Sequence, residues 1–406
     1  MILSASGLRP DHELTLLKGG EMLFPALVQA IAGARAEVML ETYIFDFSRA
    51  AIPVAEALEQ AAARGVTVRV VVDGVGTGDV PPEWRQRWKA AGVRWRVFNP
   101  VHGWRYLMPR HWRRLHRKLC VVDGDIAFCG GINLLDDYWD PNHGELAQPR
   151  LDFSVRVTGP LVADVHETMT RLWWRLQVAR EARQRDFEGA LKAVRVAAQA
   201  GMDESERASV IGRGAIAALV LRDNFRFRRR VEGTYRLAIA QAQREIVIAN
   251  AYFIPGVQLQ RALLRAAKRG VLITLLLQGR YEYFMQHHAS RAVYDVLLNA
   301  GIRIIEYEPS FLHAKVAVID AANGALATVG SSNLDPLSLL LAREANVFVR
   351  DDPFFAELRE HLMQAIEQGH VVEVEVHRRR PLLTRTLNWI AYALMRLALL
   401  VTGKRY

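Results

Sequence analysis

The chain has 406 residues, of which 51% are hydrophobic, and its formal net charge is +10 with a pI of about 9.8. Its two cysteines are too few for a disulfide framework, so nothing indicates an oxidising compartment, and residues 1–19 predict neither a signal peptide nor an anchor. The length predicts two domains. The positive charge favours an anionic partner: nucleic acid, anionic lipid or a phosphate-bearing substrate.

Read from the N-terminus, the chain consists of two copies of one α/β unit. The first copy has a buried strand ending in aromatic residues (36–45), an Arg-Gly helix end at 64–65 that runs into a β-rich strand, and an Ala-Gly pair at 91–92. The second copy repeats this order at 244–254, 269–270 and 300–301. Strands that alternate with helical stretches predict two similar halves, each a mixed sheet covered by helices.

Three stretches fall outside this repeat. Residues 101–115 form an insert rich in Arg, His and Trp, and residues 177–211 predict a helical linker. We place the boundary near residue 205. This gives an N-terminal half (1–205), a C-terminal half (206–375) and a tail (376–406).

Each copy then continues into the pattern His-x-Lys-x-x-x-x-Asp on a predicted strand. Side chains alternate between the faces of a strand, so the His and Lys of each copy share a face. We count the Asp with the catalytic residues of the motif. The Asp nevertheless lies on the opposite face of the strand from the His and Lys, at a hairpin turn. Its simplest role is therefore to fix that turn through hydrogen bonds to backbone N–H groups. The motif residues are His116, Lys118 and Asp123 in the first copy and His313, Lys315 and Asp320 in the second.

A return strand follows each motif and ends in small residues and an asparagine. These segments are Gly-Gly-Ile-Asn at 130–133 and Gly-Ser-Ser-Asn at 330–333. Small residues let a backbone approach a ligand closely. We therefore expect Asn133 and Asn333 to lie near the two His-Lys pairs.

Two imidazoles, two ammonium groups and two carboxamides are thus expected to converge in one shared site. Lysine and asparagine donors suit the non-bridging oxygens of a phosphate, where charge builds during phosphoryl transfer. One histidine can attack phosphorus while the other handles the proton of the alcohol. The sequence has no HExxH motif or CxxC pair, and we expect neither a metal nor another cofactor.

The paired motifs, together with GGIN and GSSN, resemble those of the phospholipase D superfamily across about residues 15–375. More narrowly, LETYIF (40–45), IANAYFIPG (248–256) and TVGSSNLDPLSL (328–339) resemble bacterial cardiolipin synthases, the B type in particular. The resemblance implies that His116 is the nucleophile, that His313 is the general acid and base, and that the lysines and asparagines hold the phosphate. Because the halves are nearly symmetric, the residues alone leave open which histidine attacks.

Two later carboxylates, Asp152 and Glu344, occupy matching places after the motifs. We expect each to accept a hydrogen bond from the opposite imidazole and to fix its tautomer, as a triad carboxylate does. An ordinary ion pair is the alternative.

The tail carries three arginines at 378–380 and then a mostly apolar stretch that is too short to span a bilayer. Its residues predict a basic amphipathic helix that lies in the membrane interface; a helix packed on the domain is the alternative. The predicted apolar stripe contains Leu387, Ile390, Ala391, Leu394, Leu397, Ala398 and Val401, with Arg385, Asn388 and Arg396 off it.

The function expected from these features is phosphatidyl transfer between two phosphatidylglycerol molecules, which yields cardiolipin and glycerol. The expected partners are the anionic lipid and the membrane surface, at the cytoplasmic side of a bacterial membrane, with no nucleic acid. A hydrolytic phospholipase D and a nuclease of the same superfamily are the alternatives, because the same catalytic set serves all three.

Overall fold

A computed structural model describes residues 8–100, 103, 108, 111–183, 214–222, 230–322, 324–335 and 342–401. The predicted boundary near residue 205 and most of the predicted linker lie outside these residues, as does most of the insert at 101–115.

The N-terminal half contains ten strands and four α-helices among the described residues. The strands are β1 (Arg9–Lys18), β2 (Glu37–Thr42), β3 (Thr67–Asp73), β4 (Arg94–Phe98), β5 (Arg114–Leu115), β6 (Lys118–Val122), β7 (Ile126–Gly130), β8 (Trp139–Asp140), β9 (Gly144–Glu145) and β10 (Phe153–Thr158). The helices are α1 (Gly19–Ala32), α2 (Ile52–Ala63), α3 (Pro82–Ala91) and α4 (Leu161–Arg183), and a 3-10 turn, Arg49–Ala51, precedes α2.

The C-terminal half repeats this order and adds the tail. Its strands are β11 (Ala215–Arg222), β12 (Ala242–Asn250), β13 (Leu272–Gln278), β14 (Arg303–Tyr307), β15 (Lys315–Ala321), β16 (Gly324–Gly330), β17 (Ala342–Arg350) and β18 (His370–Val371). Its described helices are α5 (Arg230–Gln241), α6 (Val257–Lys268), α7 (Phe284–Arg291), α8 (Tyr294–Asn299), α9 (Asp352–Glu367), α10 (Val374–Arg378) and α11 (Leu382–Val401).

The strand order establishes the internal repeat. In the N-terminal half the order is β1-β10-β7-β6-β2-β3-β4, and in the C-terminal half it is β11-β17-β16-β15-β12-β13-β14. Corresponding strands also pair in the same sense: β2, β3 and β4 are parallel, as are β12, β13 and β14. The two arrays join edge to edge where β1 pairs with β11. The prediction of two similar α/β halves with mixed sheets is confirmed.

Local signals in the sequence explain where these elements end. Gly92 has a φ of +93° and ends α3, and Gly65 and Gly270 have positive φ just after α2 and α6. This left-handed conformation favours glycine. Asp123 and Gly124 also have positive φ, as the tight hairpin between β6 and β7 requires.

The apolar residues form one core shared by both halves and one core on the outer side of each half. The shared core holds residues of β6 and β10 with α4, together with residues of β15 and β17 with α9. Helices α1 and α2 cover the outer face of the first array, and α5 and α6 that of the second. The motif strands β6 and β15 thus lie inside the molecule. Their first residues face the interface between the two halves, which we call the seam.

The tail helix α11 packs on α7 along one side, while Ile390, Leu394 and Leu397 of the stripe predicted for the membrane interface are exposed. Ala391 and Met395 are buried against Ile254 and Ala289, and Asn388 hydrogen-bonds His288 (2.7 Å). The predicted stripe is therefore split: Ala391 faces α7, whereas larger apolar side chains of the helix point outward. Those exposed side chains are Leu382, Leu383, Trp389, Ile390, Leu394 and Leu397. Ala398 and Val401 belong to the same predicted stripe, but their side chains lie outside the described part of the chain. None of the helices described is both long enough and apolar enough to pass through a membrane.

Candidate active site

Backbone hydrogen bonds across the seam bring the two motifs together. The N–H of His116 donates to the carbonyl of Arg343 (3.0 Å), and the N–H of His313 donates to the carbonyl of Leu151 (2.9 Å). Each acceptor is the residue just before a carboxylate of the opposite half, Glu344 or Asp152. These two reciprocal bonds fix each imidazole beside the carboxylate of the other half.

The side chains follow this crosswise pattern. Nδ1 of His116 lies 3.1 Å from Oε1 of Glu344, and Nδ1 of His313 lies 2.6 Å from Oδ2 of Asp152. Both carboxylates are almost fully buried. Since Nδ1 of each imidazole faces a carboxylate, Nε2 is the nitrogen left to face a ligand. The structure therefore contains the expected pairing of each imidazole with the opposite carboxylate.

The small residues after each return strand make room for these carboxylates. A Cβ atom on Gly131 would collide with the carboxylate of Asp152. At the matching position of the second half, the hydroxyl of Ser331 donates to Oε2 of Glu344 (2.5 Å). Thus one half uses the absence of a side chain and the other a hydroxyl to seat the equivalent carboxylate.

Burial and neighbouring charges perturb both pairs. Burial and the nearby lysines lower the pKa values of both His116 and His313, so both imidazoles are neutral at pH 7 in the unliganded site. Burial raises the pKa of Asp152 to about 7, against the opposing effect of Lys315. Although burial opposes it, the interaction with His116 lowers the pKa of Glu344. The two carboxylates consequently differ in their readiness to hold a proton.

The two motif lysines lie behind the imidazoles rather than in the cavity wall. Nζ of Lys118 donates to the carbonyl of His116 (2.7 Å), and Nζ of Lys315 donates to the carbonyl of His313. Burial and mutual repulsion lower the pKa of Lys118 to about 7; burial, against the attraction of Asp152, lowers that of Lys315 to about 8. Two buried ammonium groups create a positive potential that an anion would relieve.

The imidazoles open into a cavity of about 730 Å³ at the seam. Asn133 and Asn333, expected near the motifs, both line it. The carboxamide oxygen of Asn133 accepts a bond from the N–H of Ile44 (3.2 Å), which leaves its NH2 group to donate to a ligand. Among the described residues, no group of three or more His, Cys, Asp or Glu side chains is arranged to hold a metal ion.

The motif aspartates, which we counted with the catalytic residues, do not line this cavity. Asp123 lies at the far end of β6, about 16 Å along the strand from Lys118. Its carboxylate accepts the N–H groups of Arg35, Ala36 and Glu37, each at 2.8 Å, so it fixes the loop before β2 and not only its own turn. Asp320 pairs with Arg244 instead (2.5 Å). Four residues lie between each aspartate and the lysine of its motif, so both carboxylates lie at the far end of the motif strand from the imidazoles.

Several cavity residues were not singled out from the sequence. Tyr43 and Tyr252 follow the first strand of each repeat at equivalent positions, a signal that the alignment of LETY with ANAY contains. Residues 136–151, which we call the bridging segment, cross from the N-terminal half to the second motif. No local sequence signal predicts this crossing. The missed lining residues include Tyr43, Asp137, Asp140, Arg150, Tyr252, Glu282 and Asp335.

Two repeated α/β units with His-x-Lys strands meeting at a pseudo-twofold seam define a phospholipase D-like fold. A family model described as "Cardiolipin synthase, PLD-like domain" matches residues 27–148 and 235–366. The chain belongs to this family, and the family prediction made from the motifs is confirmed.

Known proteins agree with this assignment. Cardiolipin synthase B of Shigella flexneri is 36% identical over 363 residues, which cover 87% of this chain and 80% of that protein. Cardiolipin synthase B of Escherichia coli K12 is 35% identical with the same coverage. A solved phosphatidylserine synthase of Haemophilus influenzae covers 97% of this chain and 96% of its own with a TM-score of 0.67, and its 12% identity shows the fold alone.

Proposed function

We propose that the protein is a cardiolipin synthase that transfers a phosphatidyl group from one phosphatidylglycerol to the glycerol hydroxyl of another. The observation that carries this proposal is the pair of crosswise His–carboxylate contacts opening into one cavity. The names of the relatives support the substrate, and the net charge of +10 suits an anionic lipid.

The first step assigns different tasks to the two histidines. Nε2 of His116 attacks the donor phosphorus, the N–P bond forms, and the P–O bond to glycerol breaks. The leaving oxygen takes a proton from His313. The electrostatics support this division, because the His313–Asp152 pair holds a carboxyl group with a pKa near 7 whereas Glu344 stays ionised beside His116.

The second step reverses the proton transfer. The hydroxyl of the acceptor gives its proton to His313, its oxygen bonds to phosphorus, and the bond to His116 breaks. Cardiolipin leaves and the neutral imidazole of His116 is restored. The acceptor alcohol must compete with water for the phosphohistidine. Transfer therefore depends on a site that holds the acceptor hydroxyl in place.

The phosphate itself is assigned to the carboxamides of Asn133 and Asn333 and to the field of Lys118 and Lys315. The lysines are desolvated and repel each other when the cavity has no ligand. An anionic phosphodiester in the cavity raises the proton affinity of both lysines and of His313. Binding of the lipid thereby favours uptake of a proton from solvent at His313, and the leaving glycerol takes that proton.

We assign α11 and the neighbouring cavity rim to the membrane surface. The outward face of α11 carries the exposed Trp389, Ile390 and Leu394, and the arginines at 378–380 precede it. Helix α7, on which α11 packs, follows Tyr283 and contains Gln286, both of which line the cavity. An apolar helix face with adjacent arginines binds anionic lipid interfaces, so the cavity mouth would open close to the bilayer. We place this surface at the cytoplasmic side of a bacterial membrane.

The experiment is an incubation of the purified protein with phosphatidylglycerol labelled in its glycerol head group, in mixed micelles and with a chelator present. Cardiolipin and free glycerol are the expected products, and His116→Ala abolishes both. Phosphatidic acid as the sole lipid product would make the protein a hydrolase. No turnover of lipid would overturn the proposal, and single-stranded DNA would then be the next substrate.

A further inference from the structure

The active-site cavity is not symmetric, although the motifs that open into it are. On the side of His116 it is lined by Tyr43, Val75 and Trp112. On the side of His313 the C-terminal half supplies Tyr252, Glu282 and Tyr283, and the bridging segment adds Asp140 and Arg150. The side of His116 thus carries aromatic residues and Arg114, whereas the side of His313 carries hydroxyl and carboxyl groups together with Arg150.

The centre of the polar side is a contact between Tyr252 and Glu282. The phenol of Tyr252 donates a hydrogen bond to Oε2 of Glu282. Burial, with the adjacent carboxylate as a further cause, raises the pKa of Tyr252, and burial raises that of Glu282. Glu282 also interacts with the charges of Lys315, Asp140 and Arg150, so its carboxyl group belongs to the electrostatic environment of the second motif.

In the described part of the first half, a threonine takes the place of Glu282. Tyr43 occupies the position of Tyr252, but its ring packs on the imidazole of His116, with 4.9 Å between centroids. Thr77 lies four residues after Asp73, the last residue of β3. Its hydroxyl donates to the carbonyl of Tyr43 (2.9 Å). Glu282 stands four residues beyond the corresponding end of β13. A group present in one half alone is not needed for the phosphate chemistry that both halves share.

A carboxyl group is a poor neighbour for an anionic phosphate but a good one for a hydroxyl, which can donate to it. A phenol can in turn donate to or accept from a second hydroxyl. We propose that Glu282 and Tyr252 form the head-group subsite in which the glycerol hydroxyls of the alcohol, leaving or incoming, are held beside His313. This subsite rests on the proposed function, because it assigns the acceptor of that same reaction.

The neighbours of Glu282 favour a neutral polyol over an ammonium group. Arg150, on the same side of the cavity, is paired with Asp140 (2.9 Å), so the carboxylate of Asp140 is not left to attract a cation. The charge of Lys315, which interacts with Glu282, disfavours a second cation there. Because burial raises the pKa of Glu282, its carboxyl group is also a weaker attractor of cations than an exposed carboxylate. The ligand class is therefore a vicinal diol such as glycerol.

The subsite has a measurable consequence for the fate of the phosphohistidine. A hydroxyl held by Glu282 and Tyr252 lies beside His313, the group that removes its proton. Water gains nothing from a subsite spaced for a diol. Loss of either side chain should therefore shift the intermediate from transfer toward hydrolysis, whatever it does to the rate of the first step.

The test measures how the intermediate partitions. Glu282→Gln and Tyr252→Phe are incubated with phosphatidylglycerol and increasing labelled glycerol, and the labelled phosphatidylglycerol formed by exchange is compared with phosphatidic acid. We expect the ratio of exchange to hydrolysis to fall about tenfold or more in both variants. The matched controls are Glu308→Gln and Tyr281→Phe, which replace exposed side chains that do not line the cavity.

Each result separates the subsite from the proposed function. An unchanged ratio in both folded variants, with cardiolipin still formed, overturns the subsite and leaves the transferase intact. In the unsubstituted protein, the concentration of alcohol that gives half-maximal capture of the phosphohistidine is compared for ethanolamine and glycerol. A lower value for ethanolamine overturns the assignment of a neutral diol. Failure of the unsubstituted protein to release glycerol overturns the proposed function and the subsite with it.

Discussion

Nδ1 of His116 lies 3.1 Å from Oε1 of Glu344, a residue 228 positions further along the chain. The reciprocal contact joins His313 to Asp152 across 161 positions. The carboxylate beside each motif histidine thus comes from the opposite half. The unit of function is therefore the seam between the halves, and predictions about one motif have to name residues of the other.

The first prediction concerns the two orienting carboxylates. Asp152→Asn and Glu344→Gln keep the shape of each side chain but remove the acceptor that fixes the imidazole tautomer. We expect kcat for cardiolipin formation to fall about 10³–10⁴-fold in each case, as for the analogous change in a catalytic triad. Steady-state kinetics in mixed micelles measure this. Retention of more than a tenth of kcat by both variants would contradict the assigned role.

The second prediction concerns the dependence of kcat/KM on pH. The pKa of His116 is lowered, so the neutral nucleophile should remain available below pH 6.5. The ammonium groups that attract the phosphate have pKa values of about 7 for Lys118 and about 8 for Lys315 in the unliganded protein. Since kcat/KM reports the free enzyme, we expect it to decline as the pH rises above this range. A flat profile between pH 7 and pH 9 would be incompatible with this electrostatic role.

The third prediction is that the buried ammonium group of Lys118 lowers the free energy of unfolding. Burial lowers the pKa of Lys118 to about 7, whereas an unfolded chain has a value of about 10.4. Folding thus weakens proton binding, so the cost is fully present below about pH 7 and is relieved as the pH rises toward 10.4. We expect Lys118→Met to abolish activity yet raise the free energy of unfolding by roughly 1–3 kcal/mol at pH 6.5.

Urea unfolding at pH 6.5 and pH 9 checks this prediction, because the gain should be smaller at the higher pH. A variant less stable than the parent at both pH values would mean that the bond from Lys118 to the carbonyl of His116 outweighs the buried charge.

The fourth prediction separates the motif aspartate from the chemistry. Asp123→Ala removes the acceptor of three backbone N–H groups, and we expect the free energy of unfolding to fall by about 2 kcal/mol. Although burial opposes the shift, these bonds lower the pKa of Asp123. The stability it contributes is thus present above its ordinary pKa and disappears as the pH falls through the lowered one. We expect kcat, expressed per folded molecule, to stay within about twofold of the parent.

The neighbouring Asp125→Ala is the control, because Asp125 is exposed in the same turn. A large loss of kcat in the folded Asp123→Ala protein would restore a catalytic role to the aspartate.

The fifth prediction concerns the outward face of α11. Ile390→Glu combined with Leu394→Glu places two charges on this face without touching the side packed on α7. We expect binding to vesicles of phosphatidylglycerol to weaken about tenfold or more, with turnover of a monomeric short-chain substrate unchanged. Leu272→Glu with Val296→Glu is the control, because both side chains are exposed elsewhere. Equal vesicle binding by the two double variants would exclude α11 as the membrane contact.

Much of the site could be predicted because each of these sequence patterns occurs twice, once in each repeat. The tight turn at Asp123-Gly124, the Arg-Gly helix ends and the asparagines after the return strands all have local causes, and the structure contains them. The matching positions of Asp152 and Glu344 predicted the crosswise contacts, since two copies that share a site must exchange residues.

The features that were missed depend on non-local packing. The path of the bridging segment to the second motif rests on contacts such as the bond from Ser310 to the carbonyl of Gln148, which no periodicity encodes. The sequence left open whether α11 packs on the domain or meets a lipid surface, because hydrophobicity alone does not reveal contacts such as the bond between Asn388 and His288. Glu282 has no motif around it, and its importance comes from Tyr252 and the second motif.

The pairing of β1 with β11 makes one hydrogen-bonded array out of two repeats. Since the shared core also takes residues from both, a single repeat released from its partner would expose an open sheet edge and a large apolar face at once. An ancestral chain of one repeat would therefore have been stable only as a homodimer. With both repeats in one chain, either repeat can carry a side chain that the other lacks, as Glu282 beside Tyr252 has Thr77 at the matching position of the first half.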